Sequence, residues 1–400
     1  MNNISDVSGF KFWGAHTGVK NKRRDLGIIY SINPAAAAAV FTRNIVVAEP
    51  IKISREHIKG GILRAIVVNA GNANACTGKQ GYEAAKAMVE VTAEELNIPK
   101  EQVLIASTGV IGRAFPTEKV LDGIRESVPK LSSKKVAGSF LASAILTTDT
   151  FPKEAFVSFN LDGKTINIGA VAKGSGMIHP NMGTMLCFIA CDAAITPPLL
   201  DKALREVVDA TFNMITVDGD TSTNDMVAIM SNGEAGNPII ETEGEDYHLF
   251  RSKLHELCHH LAKLIVSDGE GASKTLEYVV RGANTEHEAR KIIRTVSDSS
   301  LVKTAMFGRD PNWGRIIAAA GRAGVDFDPE KVELLIATDK EMKILENGQP
   351  LEVNLNELKS MMKSTELRIT LDLHSGTAEA IGWGCDLSYE YVRINAEYTT

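Results

Sequence analysis

Three short runs of this chain are apolar at nearly every position, and they constrain the fold more than any other feature. They are Ile62–Asn69 (ILRAIVVN), Val103–Ala106 and Met185–Ala194. A strand with one wet face alternates apolar and polar residues, whereas consecutive apolar residues read as a strand covered on both faces. The first two runs end in small polar residues, Gly71-Asn72-Ala73-Asn74 and Ser107-Thr108-Gly109, which signal tight turns. Two more strand-like runs between Ala155 and Ala172 flank Asp162-Gly163, a hairpin signal. Helical spacing recurs over Tyr82–Leu96, Pro198–Phe212 and Leu249–Val266. Beyond about Arg281, strand-like runs (Val332–Ile336, Leu367–Leu371) alternate with helical ones (Ile316–Ala323, Leu355–Met362), as in a smaller α/β unit. Ala35–Ala39 reads as a tightly packed small-residue segment without chemistry. The pattern predicts a mixed α/β chain with many strands.

Composition narrows the function classes. A net charge of −7 over 400 residues disfavours nucleic acid and anionic membrane surfaces as partners. Five cysteines are odd in number and too few for a disulfide scaffold. No uncharged stretch is apolar enough to span a bilayer, and Met1–Asp6 carries no signal-peptide pattern. The expected location is a reducing cytoplasm.

His255-Glu256-Leu257-Cys258-His259 matches the zinc-protease pattern His-Glu-x-x-His. On a helix, however, Phe250, Leu254, Leu257, Cys258 and Leu261 share one apolar face, and both histidines fall about 140° from its centre. Glu277 could be offered as a third ligand, but nothing singles it out. A solvated helix face is the expectation, with no metal.

The junction Lys173–Thr184 carries more chemistry. Glycines at 174 and 176 run into Pro180, then Gly183, then a threonine opening a buried strand. Were the Gly183–Thr184 bond cut, Thr184 would become an N-terminal residue whose α-amine could serve as general base to its own hydroxyl. Glycine at 183 permits the backbone bend that attack on its carbonyl needs. Local chemistry alone favours a threonine that simply begins a strand.

Lys173–Ile189 resembles the signature segment of the ornithine acetyltransferase (glutamate N-acetyltransferase) family, with Gly183 where the family usually has alanine. Further similar segments are Asn69–Gly78, Ser107–Gly112, Thr147–Thr150, Thr216–Asp225, Asp268–Ala272, Phe307–Arg315 and Asn395–Thr400, in order along essentially the full length. The resemblance implies a layered α-β-β-α sandwich with a smaller C-terminal α/β domain. It implies autoproteolysis into chains 1–183 and 184–400, the second divided into a core part, 184–280, and a small domain, 281–400. It implies Thr184 as nucleophile, Thr108 and Gly109 as oxyanion hole, and substrate contacts from Thr147, Lys173, Thr184, Glu270, Asn395 and Thr400. The expected reaction moves acetyl from N2-acetyl-L-ornithine to L-glutamate through an acetyl-threonine, without a cofactor. Whether acetyl-CoA is a second donor stays open. The expected assembly is a heterotetramer of two chains of each kind. An N-terminal-nucleophile amidase or aminopeptidase using water as acceptor is the nearest alternative reading. A zinc protease or a non-enzymatic scaffold is more distant.

Overall fold

The computed structural model describes residues 2–179 and 185–397. Eight strands form the larger sheet: β1 (Phe10–Ala15), β2 (Leu26–Phe41), β3 (Ile62–Asn72), β4 (Val103–Val110), β5 (Lys153–Leu161), β6 (Lys164–Lys173), β7 (Leu186–Cys191) and β8 (Met226–Ser231). Their order is β4-β3-β2-β8-β7-β6-β5, with β1 also on β2. The expected apolar runs are strands β3, β4 and β7, and the Asp162-Gly163 hairpin joins β5 to β6. Both turn residues have positive φ, 49° and 76°, the backbone such a two-residue turn requires.

Ala35–Ala39 lies within β2, a 16-residue strand that organises the sheet. One side of β2 pairs with β3; the other pairs first with β1 (Leu26–Ser31) and then with β8 (Ala36–Phe41). The β2–β3 register slips between Tyr30 and Ala35. Pro34 sits in that break, where its missing N–H interrupts no ladder. β2 therefore divides the sheet into two leaves.

Helices α1 (Glu49–His57), α2 (Gly78–Leu96), α3 (Thr117–Ser127), α4 (Lys135–Ala144), α5 (Pro197–Ala210) and α6 (Glu245–Ser267) cover it. Alternate residues of both leaves, among them Ile66, Leu104, Phe188 and Met230, gather into one shared apolar cluster, joined by Leu141 of α4. The opposite faces meet separate helix pairs: Val67 and Ile105 pack with α2 and α3, Ile189 and Ile229 with α5 and α6. Helices thus lie outside each leaf with an apolar layer common to both.

The remaining strands, β9 (Thr275–Ala283), β10 (Glu333–Ala337), β11 (Glu341–Glu346), β12 (Gln349–Pro350), β13 (Glu366–Asp372) and β14 (Ala378–Cys385), form a second sheet ordered β12-β11-β10-β13-β9-β14. It carries α7 (Glu286–Ser297), α8 (Ser300–Gly308), α9 (Gly314–Gly321), α10 (Leu355–Met361) and α11 (Tyr389–Glu397). The α6 core residues and those of β9, β13 and β14 belong to one continuous cluster. The smaller sheet is therefore fused to the larger through α6. No described helix is long and apolar enough to cross a membrane.

Candidate active site

The polar residues that matter collect where β4 and β6 end. β3 and β4 run parallel, and their last residues curl together, Gly71 opposite Gly109 and Asn72 opposite both Thr108 and Val110. Gly109 has φ +132°, and a Cβ there would lie 2.4 Å from the Gly71 carbonyl carbon. Only glycine fits that approach. Asn224 fastens the turn from below, donating through Nδ2 to the carbonyls of Ala73 (2.7 Å) and Ser107 (2.8 Å).

Lys173 is the last residue of β6 and is 2% exposed. Its ammonium donates to Thr108 Oγ1 at 3.1 Å. That bond uses the hydroxyl's lone pair and leaves its own hydrogen free to donate elsewhere. Burial lowers the Lys173 pKa below the usual lysine range, against the pull of Asp149 and Asp225. Asp225, equally buried, accepts the Met185 N–H at 3.1 Å, so it holds the backbone at the entrance to β7. Burial pushes its carboxyl well above the ordinary range, with Lys173 opposing.

A second buried lysine knits the surroundings. Lys153 donates to Asp149 Oδ1 (2.7 Å) and to Asp268 Oδ2 (2.5 Å). Asp149 also accepts the N–H of Thr147 (3.0 Å) and of Gly174 (2.7 Å). Burial alone would raise its pKa; the ammoniums of Lys173 and Lys153 bring it down to about 2. The stretch after Lys173 reads as flexible from its glycines, but it is tied. Ser175 donates to the Asp268 carbonyl (2.6 Å) and accepts the Glu270 N–H (2.8 Å), while Ile178 N–H reaches Asp218 (3.0 Å). Gly176 lies against the Glu270 carboxylate, where a Cβ would come within 2.5 Å. Asn395, on α11, donates to Glu270 Oε2 at 2.8 Å.

Among the residues expected to form the site, Thr108 and Lys173 are thus in contact, and so are Glu270 and Asn395. Thr147 joins them through Asp149, and Gly109 shapes the turn beside Thr108. Gly183, Thr184 and Thr400 lie outside the described residues. Sequence reasoning missed Asp149, Lys153, Asp225 and Asp268. All but Lys153 lie in segments that carry the resemblance, but their convergence is a long-range property.

The His255–His259 pair is not a fully solvated face. The two rings stack at 6.0 Å, and His259 is half-buried, 4.8 Å from the Trp383 ring. Helix periodicity placed it away from α6's own core; β14 of the second sheet then covers that side. Glu277 accepts from Arg368 (2.6 Å) and from Trp383 Nε1 (2.9 Å), so both its oxygens are engaged. Burial lowers the pKa of both histidines.

The ArgJ family model matches residues 11–400. The arginine biosynthesis bifunctional protein ArgJ of Staphylococcus epidermidis is 49% identical over 399 residues, covering 100% of this chain and 98% of its own. The protein of the same name from Caldanaerobacter subterraneus is 48% identical, covering 98% and 97%. Among solved structures, ornithine acetyltransferase from Mycobacterium tuberculosis complexed with ornithine is 30% identical, covering 46% of this chain and 95% of that one, with a TM-score of 0.41. The match over nearly the whole length and the near-half identity show that this chain belongs to the ArgJ family, the ornithine acetyltransferases of arginine biosynthesis.

Proposed function

We propose that this chain cuts itself between Gly183 and Thr184 and then transfers acetyl from N2-acetyl-L-ornithine to L-glutamate through Thr184. The products, 1–183 and 184–400, stay together and pair into a heterotetramer. In the first half-reaction Thr184 Oγ attacks the acetyl carbonyl. The C–N bond breaks, and ornithine leaves with a proton from the Thr184 α-ammonium. In the second, glutamate's amine attacks the acetyl ester, and the threonine hydroxyl is restored.

The observation that carries this reading is the Lys173–Thr108 contact. A hydroxyl whose lone pair is already engaged by an ammonium is a donor awaiting an acceptor, and the glycine-only turn at 109 places a backbone N–H beside it. An oxyanion is the acceptor acyl transfer supplies. Glu270, steadied by Asn395, is a receiver for a substrate ammonium, and Thr147 and Thr400 supply neutral contacts. Lys173 serves the oxyanion side, with its charge directed at Thr108. Acetyl-CoA is read as a second donor, in keeping with the word bifunctional in the names of the relatives.

Denaturing mass spectrometry tests the cleavage. Wild-type protein should give two fragments, the second beginning at Thr184, and Thr184→Ala should give one intact chain with transfer reduced by about 10³-fold or more. A wild-type chain that is fully active and uncut overturns the reading. Hydrolysis of the acetyl-enzyme without transfer to glutamate would favour the amidase alternative.

A further inference from the structure

The chain is acidic overall, yet Lys20, Lys22, Arg23 and Arg24 put four cations within five residues, its densest run of positive charge. This run lies in the loop between β1 and β2. The loop is rigidly built: the buried Asp25 carboxylate accepts the N–H of Thr17 (2.6 Å), the Thr17 hydroxyl (2.9 Å) and the N–H of Lys20 (2.9 Å). One wall of a cleft of about 1010 Å³ is this loop; the other carries Lys119 and Lys130 together with the carboxylates of Asp122 and Glu126, and the lining extends to Leu146, Asp149 and Thr150. Lys22, Arg23, Lys119 and Lys130 are exposed, and among the described residues neither they nor Arg24 has a carboxylate within ion-pair distance. The Arg24 guanidinium lies 3.8 Å over the Phe140 ring, held flat.

The cleft adjoins the reaction centre through direct contacts. Lys20 donates to the carbonyls of Arg24 (2.6 Å), Ala144 (3.3 Å) and Leu146 (2.7 Å), clamping the basic loop to the segment that leads into Thr147. Its stem packs on Gly71, where a Cβ would stand 3.0 Å from Lys20 Cγ, and Gly71 in turn is the residue against which Gly109 closes. Burial, and less strongly the charge of Lys173, lower the Lys20 pKa to about 8, so the two ammoniums feel one another.

Unpaired cations on a rigid loop attract phosphate, and both Arg and Lys are suited to it. A site for an amino acid would need one cation, whereas the five here outnumber the lining carboxylates of Asp122, Glu126 and Asp149. We propose that this cleft binds the phosphate groups of a nucleotide-bearing acyl thioester, holding its anionic end away from the reaction centre while the acyl end reaches the oxyanion turn. The inference rests on the acyl-transfer reading above. In the step it serves, the thioester C–S bond breaks as the bond from carbon to the threonine oxygen forms, and the hydroxyl proton leaves with the thiolate.

The double variant Lys22→Ala/Arg23→Ala tests it, since both side chains are exposed and neither belongs to the ornithine or glutamate contacts. Calorimetry with coenzyme A and with adenosine 3′,5′-bisphosphate should give binding to wild type that weakens at least about tenfold in the variant. The KM for acetyl-CoA should rise by a similar factor, whereas S-acetylpantetheine, which lacks the phosphates, and N2-acetylornithine should be used as by wild type. No binding of either phosphate ligand to wild type, or equal binding by the variant, overturns the site. Charge-dependent binding of the bisphosphate without acetylation by acetyl-CoA keeps the anion site and removes the donor reading. Acetylation that the variant leaves unchanged does the reverse.

Discussion

Lys153 and Lys173 are near neighbours on paired strands, Lys153 opposite Ala172, and both are buried. Their surroundings differ in one respect. Lys153 has two carboxylates at 2.7 and 2.5 Å and the Phe151 ring 4.9 Å away. Among the described residues Lys173 has one hydrogen-bond partner, the Thr108 hydroxyl at 3.1 Å, and no carboxylate within ion-pair distance, with Asp149 and Asp225 attracting it from farther off. A fully compensated buried charge holds chain segments together: Lys153 ties the Asp149 turn to the Asp268 loop. A partly compensated one keeps field to spare, and here that field falls on Thr108.

The sharpest way to break this contrast is Lys153→Met. It leaves two aspartates facing each other without their cation, and stability in urea should fall by about 3–5 kcal/mol. A loss under about 1 kcal/mol would mean the clasp does not hold the loops. Lys173→Met should do the opposite. Transfer should fall about 10²–10³-fold in kcat, as when an oxyanion donor is disabled, with a smaller loss of stability than at 153. Equal destabilisation by both would erase the distinction. Acid sharpens it further. Asp149 is held at about 2 against an ordinary 3.8. A depressed carboxyl contributes its stability above its unfolded value and loses it as pH falls through the folded one. About 2 kcal/mol should therefore vanish between roughly pH 4 and pH 2, and Asp149→Asn should flatten that slope. The smallest effect belongs to the tempting corner. His255→Ala/His259→Ala should change transfer less than about twofold, since His259 packs on Trp383 and Glu277 is already engaged. Stoichiometric zinc lost by that variant would revive a metal site.

Much of the fold was legible because it is local. Consecutive apolar residues gave β3, β4 and β7, and Asp162-Gly163 gave the hairpin. What was hidden depends on distant partners. Five alanines carry no strand signal, yet Ala36–Ala39 pair with β8 because that strand arrives from almost two hundred residues on. Thr108 and Lys173 could be singled out by resemblance, but that one donates to the other follows from β4 and β6 ending at the same height. Asp149, Asp225 and Asp268 sit in recognisable segments, and only the closed sheet reveals what they hold: Lys153 for the first and last, the Met185 N–H for Asp225. His259 misled in the other direction. A helical wheel knows its own helix and not the tryptophan that a later strand brings against it.

The strand order also has a bearing on time. β7 and β8 lie between β2 on one side and β6 on the other, with six register pairs along each seam. A chain severed after residue 183 would leave two strands of the later piece filling a slot made entirely by the earlier one. Neither piece could form that sheet by itself, so under the proposed cleavage assembly would have to precede scission. The covalent link would then act once, as a tether that raises the chance of β7 entering its slot while the sheet forms. Fragments produced from separate genes should therefore remain unassembled when mixed after folding, and combine only when they fold in each other's presence.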